Sequence, residues 1–334
     1  MDVGLFLHNH GVVTRAEDGA TWTSVPVDEM RMAEVVQLAD RLGYHSIWLS
    51  DHVFTTREEY AGGRVSLGLD RVRPPGCVML DSLAMMAFAA ACSTRIRLGT
   101  SILVAPYRHP LVLAHQLATI DVLSQGRVIA GVGAGWLESE FDALEVPYGD
   151  RFEITQECLE IYDLAWTQPW VTYRGRHFDF TDVAVEPKPA QRPRIPLIYG
   201  GTSPAGARRA VGSCDGFCPR LAQEADDPAA HHDGLRETIR REAERTSRDL
   251  TEFRLLTLAS CLLGDARAGA GRPFLSGSSE QLLGDLERLA AHGYSHCTLR
   301  LDVRSGEVDE LVEAVARFGD EVLPQAAAID AAPL

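Results

Sequence analysis

Ser50-Asp51-His52 places a carboxylate beside an imidazole directly after the apolar run Ser46 to Leu49. Asp51 can accept a hydrogen bond from a cofactor or from backbone, and His52 can move a proton near neutral pH. An Asp-His pair in a loop can equally be structural. The run Arg127-Val-Ile-Ala-Gly-Val-Gly-Ala-Gly-Trp136 ends in Gly133, Ala134 and Gly135, where backbone N–H groups can approach the polar edge of a planar ligand. Trp136 adds a broad apolar face. In Ile198-Tyr-Gly-Gly-Thr-Ser-Pro-Ala205, Gly200, Gly201 and Thr202 precede a helix start, which can hold a phosphate or simply form a turn and an N-cap. Ile96-Arg-Leu-Gly-Thr-Ser-Ile-Leu-Val-Ala-Pro106 carries Gly99, two hydroxyls and Pro106, which suit a strand that changes direction abruptly, or an ordinary strand whose apolar residues fill core.

Each cluster needs a strand to deliver it, and the chain supplies eight. The apolar runs 3–7, 46–49, 96–101, 128–132, 195–199, 215–218, 253–261 and 295–301 predict short strands. Between and after them, apolar residues at helical spacing predict helices over 27–42, 80–92, 111–123, 151–166, 205–211, 279–291 and 308–318. Val171 to Val185 reads as a hairpin with Gly175 at its turn. The alternation predicts an α/β TIM (β/α)8 barrel with inserted loops, whose site lies at the C-terminal strand ends. The expected organisation is one barrel domain over 1–324, variable segments near 170–190 and 222–277, and a tail at 325–334. A Rossmann fold is the rival. It fails because Gly131-Val-Gly-Ala-Gly135 has Trp136 where the dinucleotide fingerprint continues toward its third small residue.

The 334 residues carry 47 acids against 32 bases, a formal charge of -15 that argues against a nucleic-acid surface. There is no apolar run of membrane-spanning length and no secretory leader pattern at the start, so a cytoplasmic protein is expected. The seven cysteines include Cys214 and Cys218 with no matching second pair; they read as reduced thiols, with no metal.

Several of these stretches resemble the luciferase-like flavin and deazaflavin oxidoreductases. The likeness rests on Gly43-Tyr-His-Ser-Ile-Trp-Leu-Ser-Asp-His-Val53, on Ile96 to Pro110, on Pro110-Leu-Val-Leu-Ala-His-Gln-Leu-Ala-Thr-Ile-Asp-Val-Leu-Ser-Gln-Gly-Arg127, on Arg127 to Trp136 and on Ile198 to Ala205. It is strong over 3–218, and beyond that rests on barrel rhythm. The pattern is nearest the branch that uses coenzyme F420. The resemblance implies a cis peptide at Ser101-Ile102 supporting the coenzyme ring, and Asp51 at the coenzyme's polar edge. It further implies phosphate contacts at Gly200, Gly201 and Thr202, and His52 as the proton-handling catalytic residue. It also implies a homodimer and a companion flavin or F420 reductase. Trp136 and Thr56 depart from the sugar-phosphate dehydrogenases of that branch, which carry an acid and a tryptophan there, so the substrate pocket is expected to be more apolar.

The reaction expected is hydride transfer between F420 and a small organic substrate, with FMN-dependent monooxygenation as the alternative and a non-enzymatic binding protein as the weakest reading. Trp22, Tyr107 and Trp136 are candidate walls of the substrate site, as is Trp48 unless it belongs to the core. Arg108, His109 and His115 are either pocket groups or exposed and helix-end residues. Glu138 and Glu140 read as helix-surface groups or partners of Arg151.

Overall fold

The structure, a computed structural model, describes residues 1–7, 9, 12–16, 19–23, 29–54, 79–267, 269, 271–305 and 307–334, with the side chains of 12–16 and 19–23 set aside. Thr56, Cys77 and the side chain of Trp22 lie outside the described residues.

Eight parallel strands form the centre: β1 Asp2–Phe6, β2 Ser46–Leu49, β3 Arg97–Thr100, β4 Val128–Gly133, β5 Leu197–Gly200, β6 Gly216–Cys218, β7 Arg254–Leu263 and β8 His296–Leu301. Each pairs with the next, and β8 returns to β1, with Gly4 opposite Thr298 on one side and Ser46 on the other. The sheet is therefore a closed barrel, as the alternation predicted. Around it stand α1 Met32–Leu42, α2 Ser82–Cys92, α3 Pro110–Leu123, α4 Arg151–Thr167, α5 Pro204–Ser213, α6 Asp233–Thr246, α7 Ser279–Ala291 and α8 Val308–Glu321. Two antiparallel hairpins are appended, Val12–Ala16 with Gly19–Thr23 and Val171–Arg174 with Asp179–Val183. The second was expected; the first was not.

The charged stretch near 222–248, expected as mobile or inserted material, holds the barrel's own sixth helix. Asp233, Glu237, Arg241, Glu244 and Arg245 are exposed while Leu235, Ile239 and Ala243, spaced by four, are buried. Elsewhere local chemistry sets the ends. Pro110 opens α3 where its missing N–H costs nothing. Ser278 and Gln281 form a reciprocal capping box on α7.

The barrel interior is a small core of Phe6, Trp48, Ile129, Ile198, Cys218 and Leu256, separate from the larger core between strands and helices. Trp48, 1% exposed, fills its floor. It fits because neighbouring strands present glycine: a Cβ at Gly4 or Gly99 would lie 2.7 or 2.6 Å from the indole. Trp48 is thus core and not a substrate wall. Its Nε1 donates to Ser46 Oγ at 2.8 Å, and that oxygen lies 2.9 Å from His296 Nε2 and 3.1 Å from His45 Nδ1. Burial outweighs the attraction of Asp2 and holds His45 down at about 4, so its imidazole is neutral at pH 7.

Candidate active site

At the opposite end, the C-terminal ends of the strands surround a cavity of about 540 Å³. Asp51 and His52 after β2, Ser101 and Ile102 after β3, Ala134 and Gly135 after β4, and Gly200, Gly201 and Thr202 at and after β5 all line it. The chain thus brings one wall together from four successive strand ends. Among the expected contacts, Gly133 does not reach the cavity.

The turn after β3 explains why. The Ser101-Ile102 peptide is cis, as the resemblance implied, and Leu103–Val104 then pairs with the end of β4. Ile102 is seated between two glycines. A Cβ at Gly133 would lie 2.0 Å from its Cδ1, and one at Gly200 would lie 2.6 Å from its Cγ2. Gly133 therefore makes room for Ile102. Gly135 has φ of 77°, in the left-handed region, and a Cβ there would crowd Val104 and Phe141.

His52 is held by a residue the sequence reading placed elsewhere. Its Nδ1 lies 3.0 Å from Glu140 Oε2, and the other carboxylate oxygen of Glu140 accepts the backbone N–H of Val53 at 2.7 Å. Tyr107 donates its hydroxyl to Glu140 Oε2 at 2.9 Å. Glu140 is 1% exposed, so it is neither a surface group nor a partner of Arg151. Burial pushes its carboxyl up, but the bonds from His52, Val53 and Tyr107 prevail and hold it below the ordinary carboxylate range. The Tyr107 hydroxyl moves the other way, raised by burial and by the charge of Glu140. With Glu140 ionised, Nδ1 carries the proton, and Nε2 is the ring atom left to face the cavity. Trp136, 47% exposed, meets the imidazole edge-on at a centroid separation of 6.0 Å. Nothing in a single sequence distinguishes Glu140 from Glu138; the short helix Glu138–Ala143 buries the one with Phe141 and exposes the other.

Asp51 faces the cavity, yet its oxygens are taken. Arg108 donates to both at 2.7 and 2.8 Å, Ser82 Oγ donates at 2.9 Å and the Val104 N–H at 3.0 Å. These four bonds tie the end of β2 to α2 and to the segment after the cis peptide. Arg108 is thus an ion-pair partner, His109 caps α3, and His115 is exposed on it.

On the β5 side, Ser203 Oγ accepts from Gly206 N at 3.1 Å and caps α5. On the β7–β8 side, Arg300 donates to Asp302 at 3.2 Å and to Ser260. Among the described residues, Asp51 is the one carboxylate lining the cavity, and Arg151, Arg220 and Arg300 line it too. Of these groups Arg300 is paired with Asp302, and Asp51 is paired with Arg108 from outside the lining.

The sequence profile of the luciferase-like monooxygenase family matches residues 1–323. The chain belongs to that family. An uncharacterized protein of Mycobacterium tuberculosis (strain ATCC 25618 / H37Rv) is 30% identical over 248 residues, 70% of this chain and 86% of that protein. An F420-dependent glucose-6-phosphate dehydrogenase of Amycolatopsis mediterranei (strain U-32) is 30% identical over 190 residues, 56% of this chain and 52% of that one. An FMNH(2)-dependent dimethylsulfone monooxygenase of Pseudomonas putida is 28% identical over 197 residues, 58% of this chain and 48% of that one. This luciferase-like chain is therefore an oxidoreductase of a family that uses F420 or FMN. No helix among its described residues is long and apolar enough to cross a membrane.

Proposed function

We propose that this oxidoreductase is F420-dependent and transfers a hydride between the deazaflavin coenzyme and a small organic alcohol, carbonyl, imine or activated alkene. The observation that carries the reading is the His52–Glu140 pair at the cavity wall. Hydride transfer to or from a C–O or C–N bond requires a proton to move at the heteroatom, and an imidazole with Nδ1 fixed on a carboxylate offers Nε2 for that task. When bound, F420 supplies or accepts the hydride.

The other roles follow from position. Ser101 and Ile102 support the coenzyme ring, Ala134 and Gly135 flank it, and Gly200, Gly201 and Thr202 hold its phosphate. Asp51 acts through the loop it braces, because its oxygens are already engaged. His52 takes or gives the substrate proton through Nε2, and Trp136 covers the substrate's apolar part. FMN with oxygen is the second reading, favoured by the likeness to the dimethylsulfone monooxygenase.

Titration with F420 and with FMN, followed by turnover with and without oxygen, tests the proposal. F420 turnover is expected to persist without oxygen. Tight FMN binding with oxygen-dependent product and no F420 turnover overturns it. On the F420 reading a separate F420 reductase regenerates the coenzyme; on the FMN reading a flavin reductase does.

The same reading extends to a homodimer. α2 and α3 pack side by side, and their exposed residues include Ala84, Ala87, Phe88, Val112, Val122 and Leu123, with His115 and Gln116 among them. Phe88 is 43% and Leu123 69% exposed, an apolar face suited to a second copy. Sedimentation at several concentrations is expected to give a dimer mass; a persistently monomeric mass rejects it.

A further inference from the structure

Arg151, the first residue of α4, lines the cavity together with Phe152, and both are uninvolved in the proton-handling group. Its guanidinium carbon lies 3.9 Å from the ring centroid of Tyr148 and 4.3 Å from that of Phe152, so two aromatic rings fix the plane. One nitrogen is used: Nη1 donates to the Tyr148 carbonyl at 2.9 Å. Nε is buried without a hydrogen-bond partner, and among the described residues no carboxylate pairs with this arginine. Nε and Nη2 lie on one edge of the guanidinium. That edge is a two-pronged donor whose spacing matches two oxygens of a phosphate or carboxylate.

Its neighbourhood says which anion. Arg209 lies 5.8 Å from the Phe152 ring and 5.5 Å from the Tyr199 ring, and donates to the Tyr199 hydroxyl at 3.2 Å. The start of α4 is thereby set beside Tyr199 and the Gly200–Ser203 loop that follows it. A buried, unmatched Nε–H beside the Gly200–Ser203 loop lacks an acceptor, which an oxyanion would supply.

We propose that Arg151 is a phosphate-binding residue, its Nε–Nη2 edge gripping two oxygens of the coenzyme phosphate held at Gly200–Thr202. The inference rests on the coenzyme reading above but holds for F420 and FMN alike, since both carry a phosphate. Riboflavin, which is FMN without that group, separates phosphate recognition from ring recognition.

Fluorescence titration of wild type, Arg151→Gln and Arg151→Lys with FMN and riboflavin, and with F420 and its phosphate-free deazaflavin riboside, tests it. Thermal unfolding of each variant reports folding. In Arg151→Gln, affinity for the phosphate-bearing form is expected to fall at least about tenfold, the scale of one charge-assisted contact. Affinity for the phosphate-free form should be unchanged. Arg151→Lys keeps the charge without the fork and should retain part of the preference; it decides the matter if the glutamine variant does not fold. An undiminished phosphate preference in the folded variants overturns the role of Arg151 while leaving the coenzyme reading standing. Wild-type protein that binds none of the four compounds overturns both.

Discussion

Replacing His52 with alanine is expected to lower kcat by about 10²–10⁴, the range that a positioned acid–base group contributes. The affinity for F420 should stay near that of wild type. The division follows from geometry. His52 lies at the wall with Nδ1 committed to Glu140, whereas the ring and phosphate supports proposed above lie on the β3 turn and the β5 loop. Single-turnover kinetics at saturating coenzyme are the measurement of choice, because slow product release can mask a chemical defect in steady turnover. An unchanged hydride-transfer rate in a folded His52→Ala protein makes His52 structural.

Glu140→Gln carries the second large effect. The amide keeps the shape but removes the charge that fixes the proton on Nδ1, and an amide NH₂ set against Nδ1 favours the other tautomer. Loss of the carboxylate that orients a catalytic imidazole can cost up to about 10⁴ in rate. Glu140→Asp keeps the charge and should restore part of the rate. If Glu140→Gln folds and keeps the rate, Glu140 has no part in orienting His52. Tyr107→Phe removes one bond to the same carboxylate and serves as the mild comparison.

The barrel and most strand ends could be read from the chain because strand and helix periods differ, and each small-residue cluster follows an apolar run. The Gly200–Thr202 loop stands out that way, whereas Ser101 and Ile102 came from the family resemblance. Partnerships across the fold could not be read the same way. Glu140 stands 88 residues from His52, and no local pattern links them. The structural role of Asp51 was not legible, because its four donors come from α2, from Arg108 and from the backbone after the cis peptide, all distant in sequence. Nor was the packing role of Gly133, where glycine marks the place into which another side chain must fit, here Ile102. The charge of α6 concealed an ordinary barrel helix for a related reason: three apolar residues spaced by four suffice to dock it.

The indole wedged under Phe6 governs traffic as well as packing. A barrel sealed at its floor by Trp48, with glycines on the flanking strands closing around it, has its doorway at the mouth. On the proposed function, coenzyme and substrate would share that mouth, and the deeper guest would have to arrive first and depart last.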